Sequence, residues 1–304
     1  MSESVKPADL ARNLPGTIAA TAKLVDSALD AVLPQPQGRQ ARVQEAMRYA
    51  VMAGGKRLRP FLVLHSARLF GVDDSRSLRV GAAIECLHTY SLVHDDLPCM
   101  DDDDLRRGRP TTHIAFDEMT AVLAGDALLT IAFEILADAR THPSGDVRSS
   151  LVSALAQAGG HVGMIGGQII DMLADASFGV DDVIELQAKK TGRLFEFSCE
   201  AGPILGQASA EDRARLKAYA EEMGVVFQIT DDLLDVTSTA EKTGKAVGKD
   251  ADMGKQTLVT LLGVDGARTE ARRRAQKAVD ALGPHAARAP ELVALPFFLL
   301  DRDA

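Results

Sequence analysis

The 304-residue chain is predicted to be all-α, a single helical domain spanning residues 1–304. Three observations predict this. Alternating Val/Ile/Thr runs of strand type are hard to find. Aromatic residues make up 4% of the chain, with no tryptophan. Alanine and leucine are abundant, and apolar positions recur at helical spacing between Gly and Pro breaks. No second composition class and no repeat of solenoid period divides the chain, so about ten helices of ordinary length are expected.

In chain order, residues 16–33 form the first helix and stop at Pro34. Residues 35–40 are a Pro/Gln/Gly linker, and residues 41–53 a second helix capped by Gly54-Gly55. Lys56-Arg57-Leu58-Arg59 follows, with Pro60 in the first turn of the next helix. A basic cluster in a glycine-flanked loop at a helix start favours anions, although a solvated charge run fits equally well. Residues 75–94 form a buried helix that Pro98 should break or kink, having no N–H for the carbonyl of residue 94. Residues 120–139 are strongly apolar. Residues 147–173 read as one helix with five glycines that permit close packing. Residues 181–200 form a long helix that Gly202-Pro203 should break or kink, and residues 210–236 form another. A polar loop comes next, and two or three shorter helices close the chain.

The net charge of -9 leaves no basic excess for nucleic acid. Cys86, Cys99 and Cys199 form no CxxC pair, which suits a reducing compartment and argues against a disulfide framework or a zinc site. Neither a signal peptide nor a run near the 20 apolar residues of a membrane span is evident, so a soluble cytoplasmic protein is expected.

The chemistry concentrates in two acidic elements. The first has six aspartates within ten positions, Asp95, Asp96 and Asp101 to Asp104, followed by Arg106, Arg107 and Arg109. Carboxylates this dense at the end of an apolar helix repel one another and resist desolvation, so a positive partner is required. The second runs FQITDDLLD, from Phe227 to Asp235. Asp231 and Asp235 project from one helical face about 6 Å apart along the axis, with Gln228 three residues earlier. In the first element the gap is longer, and a break at Pro98 brings Asp101 back beside Asp95. Oxygen donors without His or Cys suit Mg²⁺, which completes its shell with water and phosphate oxygens. A diphosphate substrate follows. Lys56, Arg57, Arg59, Arg106, Arg107, Lys190, Lys245, Lys249 and Lys255 are the cations available to it.

The motifs GGKRLRP, ECLHTYSLVHDDLPCMDDDDLRRGRPT, GGQIID, KKTGRL and FQITDDLLDV, followed by GK…GK, resemble the trans-isoprenyl diphosphate synthases, and most closely the bacterial farnesyl diphosphate synthase type. The likeness extends from about residue 44 to residue 262 and implies the isoprenoid synthase-like fold, a single large helical bundle around a central cavity. It implies that Asp95, Asp96 and Asp101 bind Mg²⁺ bridging the allylic diphosphate. Asp231, Asp232 and Asp235 would hold a further ion from the opposite wall, three ions in all with substrate bound. Arg106, Lys190, Thr191, Gln228 and Lys245 resemble the residues that contact the allylic diphosphate. Gly55, Lys56, Arg59, His88 and Arg107 resemble the isopentenyl diphosphate pocket, and Lys255 is a candidate for closing over the diphosphate. Asp95, Asp101, Arg106, Lys190 and Asp231 would carry catalysis.

The same resemblance reverses the ordinary reading of His88 as a core residue. It also makes Tyr90, with the small Ser91 beside it, the floor of the tunnel that sets product length. A core aromatic with a satisfied hydroxyl is the alternative for Tyr90. His94 is expected to be structural, Cys86 and Cys99 packing residues, and Gln168 and Asp171 either packing or supporting the diphosphate. The implied reaction condenses isopentenyl diphosphate with dimethylallyl and then geranyl diphosphate to farnesyl diphosphate, in a homodimer. Geranylgeranyl or geranyl synthesis is the alternative. A terpene cyclase, an Mg²⁺-dependent phosphohydrolase and a non-catalytic synthase subunit are the readings left behind it.

Overall fold

The computed structural model describes residues 7–175, 177–237 and 257–301. Among these, thirteen α-helices build the fold: α1 (Pro7–Val32), α2 (Ala41–Val51), α3 (Leu58–Leu69), α4 (Asp74–Asp95), α5 (Thr112–Ala115), α6 (Glu118–Ala137), α7 (Gly145–Gly159), α8 (Met164–Met172), α9 (Val180–Gln187), α10 (Arg193–Leu205), α11 (Ala210–Thr237), α12 (Leu258–Leu282) and α13 (Pro290–Leu300). The all-α prediction holds, with one exception. Leu105–Arg106 (β1) and Arg109–Pro110 (β2) pair antiparallel across Arg107-Gly108. Both turn residues are left-handed, at φ 53° and 72°, as a two-residue type I′ hairpin requires.

α4 packs on α3 and α6, and α10 on α3 and α11. One apolar core, with Leu87, Leu128, Leu155 and Phe197, fills the space between α4, α6, α7 and α10. A second, with Phe61, Phe195, Tyr219 and Leu295, lies between α3, α10, α11 and α13. α3, α10 and α1 belong to both, so the two cores are parts of one packed body.

Four local expectations are corrected. α1 starts at Pro7 and runs through Pro15. The helix expected over residues 147–173 is broken between α7 and α8 at Gly160 and Gly163, where the backbone turns so close to the carbonyls of α7 that a Cβ would collide with them. α10 continues through Gly202-Pro203 to Leu205. There Gly202 lies against the backbone of Ser66 and Ala67 with no room for a Cβ, and this close packing of α10 on α3 holds the helix through Pro203, which lacks the N–H for the Cys199 carbonyl. Finally, α6 is long and apolar enough to cross a membrane, with a mean hydropathy of 1.8 over its most apolar window. Its Ala121, Ala124, Leu128, Ala132 and Ile135 are buried in the bundle, on the face that packs against α4.

Candidate active site

The first acidic wall is the end of α4 and the chain that turns back from it. α4 stops at Asp95, ahead of Pro98, as expected. The backbone N–H of Asp101 then donates to the Asp95 carbonyl at 2.8 Å, and that of Asp103 to the Asp96 carbonyl at 3.3 Å. The reversal returns Asp101 to the side of Asp95. The Asp95 carboxyl is pushed up to about 6 by burial and by the nearby Asp101 and Asp96 carboxylates, against the opposing pull of Lys190 and Arg106.

Asp96 has a different neighbour. It is 3% exposed and accepts from Arg106, with Nε at 2.7 Å and Nη2 at 2.6 Å. The sequence put Asp96 with the metal ligands and Arg106 with the diphosphate contacts, but here each is taken up by the other. Asp102 is left-handed (φ 51°) and exposed, and the Asp104 carbonyl accepts from Thr111 N–H at 2.9 Å, so these residues shape the reversal.

The second wall is the last three turns of α11. It carries Gln228, Asp231, Asp232 and Asp235, with Asp231 and Asp235 partly exposed at a spacing of four. Asp232 is buried instead and accepts from Gln228 Nε2 at 2.9 Å and Gln187 Nε2 at 3.4 Å. Thr191 Oγ1 donates to Gln228 Oε1 at 3.3 Å.

Lys190 and Thr191 reach this region from a π-helical turn, Ala188–Gly192, between α9 and α10. Sequence periodicity gives no sign of that turn. Lys190 Nζ pairs with Asp171 Oδ2 on α8 at 2.7 Å. Gly167 makes this possible, because a Cβ there would run into the Lys190 backbone. Asp171, Gln187, Lys190, Thr191, Gln228 and Asp232 share a cavity of about 160 Å³.

The basic loop is the third component. Gly54 (φ 84°), Gly55 (φ 132°) and Arg57 (φ 49°) all have positive φ. A Cβ on Gly55 would lie 2.8 Å from the Arg107 guanidinium, and Arg107 donates to the Gly54 carbonyl. Arg59 stacks over Phe195 at 5.2 Å. Its buried Nε has no hydrogen-bond partner. His88 is held well below the ordinary histidine range by burial and then by Arg59, Arg107, Arg106 and Arg57, so it is neutral at pH 7. Lys56 is exposed. Arg57, counted among the available cations, points inward and is neutralised by Glu85 and Asp26. The sequence carries no signal of that pairing. Lys245, Lys249 and Lys255 lie outside the described residues.

Below the first wall, Tyr90 is buried and meets His94 edge-on at 5.6 Å. Ser91 Oγ donates to the His88 carbonyl at 2.8 Å. His94 Nε2 lies 3.0 Å from the Val122 carbonyl and fills the space over Gly125, the structural role expected of it. Cys86 is buried, but Cys99 is exposed and does not pack.

Among the described residues, no three His, Cys, Asp or Glu side chains stand close enough to hold a metal ion alone. The available donors are carboxylate oxygens, with Asp95 destabilised by burial and by its acidic neighbours. That set fits Mg²⁺, which takes a few carboxylates and fills its remaining positions with water and phosphate. Gln168 Nε2 and Arg59 Nε, both buried without partners, supply unused donors for anionic oxygen.

A helical body with carboxylates on two walls and clustered cations beside them is the framework of a prenyltransferase handling diphosphate esters. The sequence pattern of the polyprenyl synthetase family matches residues 40–294. Farnesyl diphosphate synthase of Geobacillus stearothermophilus is 42% identical over 280 residues, covering 89% of this chain and 93% of that protein. The chloroplastic geranylfarnesyl diphosphate synthase of Leucosceptrum canum is 40% identical over 92% of this chain and 78% of its own. The crystal structure of an FPP/GFPP synthase from Zymomonas mobilis superposes with a TM-score of 0.86 at 45% identity, covering 95% and 99% of the two chains. A geranyltransferase from Helicobacter pylori, complexed with magnesium and isoprenyl diphosphate, gives 0.79 at 31%, covering 99% and 98%. The chain belongs to the polyprenyl synthetase family and is a trans-prenyltransferase with the isoprenoid synthase fold.

Proposed function

We propose that this prenyltransferase is a farnesyl diphosphate synthase, a single domain over residues 1–304. It would condense isopentenyl diphosphate with dimethylallyl and then geranyl diphosphate. The observation that carries the two-substrate reading is the separation of two anion-handling regions. One is the pair of acidic walls with Lys190. The other is the cluster of Lys56, Arg59, His88 and Arg107 around a glycine loop. A cyclase or a phosphohydrolase handles one diphosphate and has no use for the second cluster. Asp95, Asp101, Asp231 and Asp235, all present, are what a non-catalytic subunit would be free to lose.

The residues fit Mg²⁺, and the Helicobacter relative binds it. We assign Asp95 and Asp101 on one wall and Asp231 and Asp235 on the other as the carboxylates that would hold it, three ions in all. Bound Mg²⁺ supplies positive charge to the leaving diphosphate. Lys190 and Thr191 orient the allylic diphosphate from the π-helical turn. Lys56, Arg59 and Arg107 hold the isopentenyl diphosphate, and neutral His88 contributes a hydrogen bond. The allylic C–O bond breaks, the isopentenyl double bond forms the new C–C bond, and the proton lost goes to the released diphosphate, so no side chain serves as base. Aliphatic lining keeps water from the allylic cation.

Tyr90 supports the farnesyl product: its ring is buried five residues before Asp95, where it would floor the tunnel that the growing chain enters. The exposed Met119, Val122 and Leu123 on α6 support a homodimer through that face.

The test is product analysis with Mg²⁺, isopentenyl diphosphate and each allylic diphosphate. Farnesyl diphosphate is expected, and Tyr90→Ala should lengthen it by at least one isoprene unit. Absence of any prenyl product refutes the reading. A 20- or 25-carbon product from the wild type refutes only the chain-length assignment.

A further inference from the structure

A buried acid lies under the basic loop, and the reaction outlined above does not use it. Glu85, three residues before His88 on α4, is 3% exposed, and so is Arg57. Arg57 Nη1 donates to Glu85 Oε1 at 2.7 Å, Nη2 to the Val51 carbonyl at 2.7 Å and Nε to Asp26 Oδ1 at 3.0 Å. One guanidinium therefore ties α1, the end of α2 and α4 to the residue between Lys56 and Leu58. Its fork geometry makes that possible, since an ammonium could not meet three acceptors in those directions.

The backbone of Arg57 is the second observation. At φ 49° and ψ 39° it is left-handed. A non-glycine residue there is strained and stays only where its surroundings over-determine it. Strain of this kind directly between two residues of a binding pocket points to a positioning device. The third observation is electrostatic. Burial lowers the pKa of both Arg59 and Arg107, and in each the Glu85 carboxylate is the main charge opposing that fall. Three guanidiniums thus share one enclosed carboxylate.

Resting on the isopentenyl pocket assigned above, we propose that Glu85 is its positioning residue. It locks Arg57 into the left-handed turn that sets Lys56 and Arg59 against the substrate diphosphate, and it offsets the mutual repulsion of the pocket's arginines. Glu85 does not touch substrate. Its influence passes through Arg57 and through the negative charge it sets against Arg59 and Arg107.

Steady-state kinetics of Glu85→Gln tests this. The KM for isopentenyl diphosphate is expected to rise about tenfold or more, the scale of one lost charged hydrogen bond. The KM for geranyl diphosphate should stay within about twofold, and kcat at saturating isopentenyl diphosphate within about threefold. A merely structural role would instead reduce the active fraction, lowering kcat and leaving both KM values in place, and that result overturns the proposal. If Glu85→Gln does not fold, Asp26→Asn decides. Its carboxylate is at the surface, and its expected effect is a rise of about threefold in the isopentenyl KM alone. An unmoved isopentenyl KM there overturns the proposal. A wild-type chain that makes no prenyl product removes the pocket assignment and this inference together, whereas wild-type turnover with unmoved variants removes this inference only.

Discussion

The first acidic wall is built by a chain reversal and the second by a continuous helix. In the first, Asp95 and Asp101 are six residues apart and meet because α4 stops, the backbone folds back on the Asp95 carbonyl, and the Asp96–Arg106 pair pins the turn from below. In the second, Asp231 and Asp235 share a side through helical periodicity alone, and the buried Asp232 is held by amide donors. A helix positions its carboxylates with little outside help. A loop needs a buried ion pair to do the same, and that makes the first wall the more fragile of the two.

Substitutions separate the two walls. The largest effect is common to both: Asp95→Ala and Asp231→Ala are each expected to cut turnover by about a thousandfold or more, with thermal midpoints within a few degrees of wild type. A variant that unfolds instead makes that aspartate structural. Next, Arg106→Gln leaves Asp96 buried without its ion partner and, with Arg106 itself partly exposed, should cost on the order of 1–3 kcal/mol in chemical denaturation. Gln228→Ala on the helical wall should cost about 1 kcal/mol or less. Equal losses would erase the distinction between loop and helix.

The last contrast is a pH dependence confined to the first wall. The Asp95 carboxyl lies above its ordinary value, at about 6. Its protonation therefore stabilises the metal-free fold, fully below about pH 4, and that stability is lost as the pH rises through 6. Asp95→Asn should be more stable than wild type at pH 7.5 without Mg²⁺, by on the order of 1–2 kcal/mol, with the gap closing toward pH 5. A gap that is constant with pH would show that the carboxyl is not held up.

Much of this was legible in the sequence because it is local. The spacing of Asp231 and Asp235, the stop at Pro98 and the return of Asp101 follow from helix geometry and from a missing N–H. What was illegible depends on partners distant in sequence. Arg57 reads like Lys56 and Arg59 until Glu85, 28 residues on, draws it inward. Asp96 reads like Asp95 until the hairpin brings Arg106 beneath it. Pro203 was given too much weight, because a local rule takes no account of Gly202 pressing α10 onto α3. The glycines from 159 to 167 were read as one packing run, yet Gly160 caps the end of α7, Gly163 caps the start of α8, and Gly167 serves the site.

The π-helical turn at Ala188–Gly192 has a consequence for insertions and deletions. A π turn holds a surplus residue within an otherwise α-helical path. Removing one residue there would let α9 and α10 run on as a single regular helix, and would rotate everything upstream by about 100°. Gln187 would lose Asp232, and Lys190 would lose its alignment with Asp171. At this point the protein is constrained by residue count as much as by residue identity. A single in-frame codon deletion there would throw two helices out of phase.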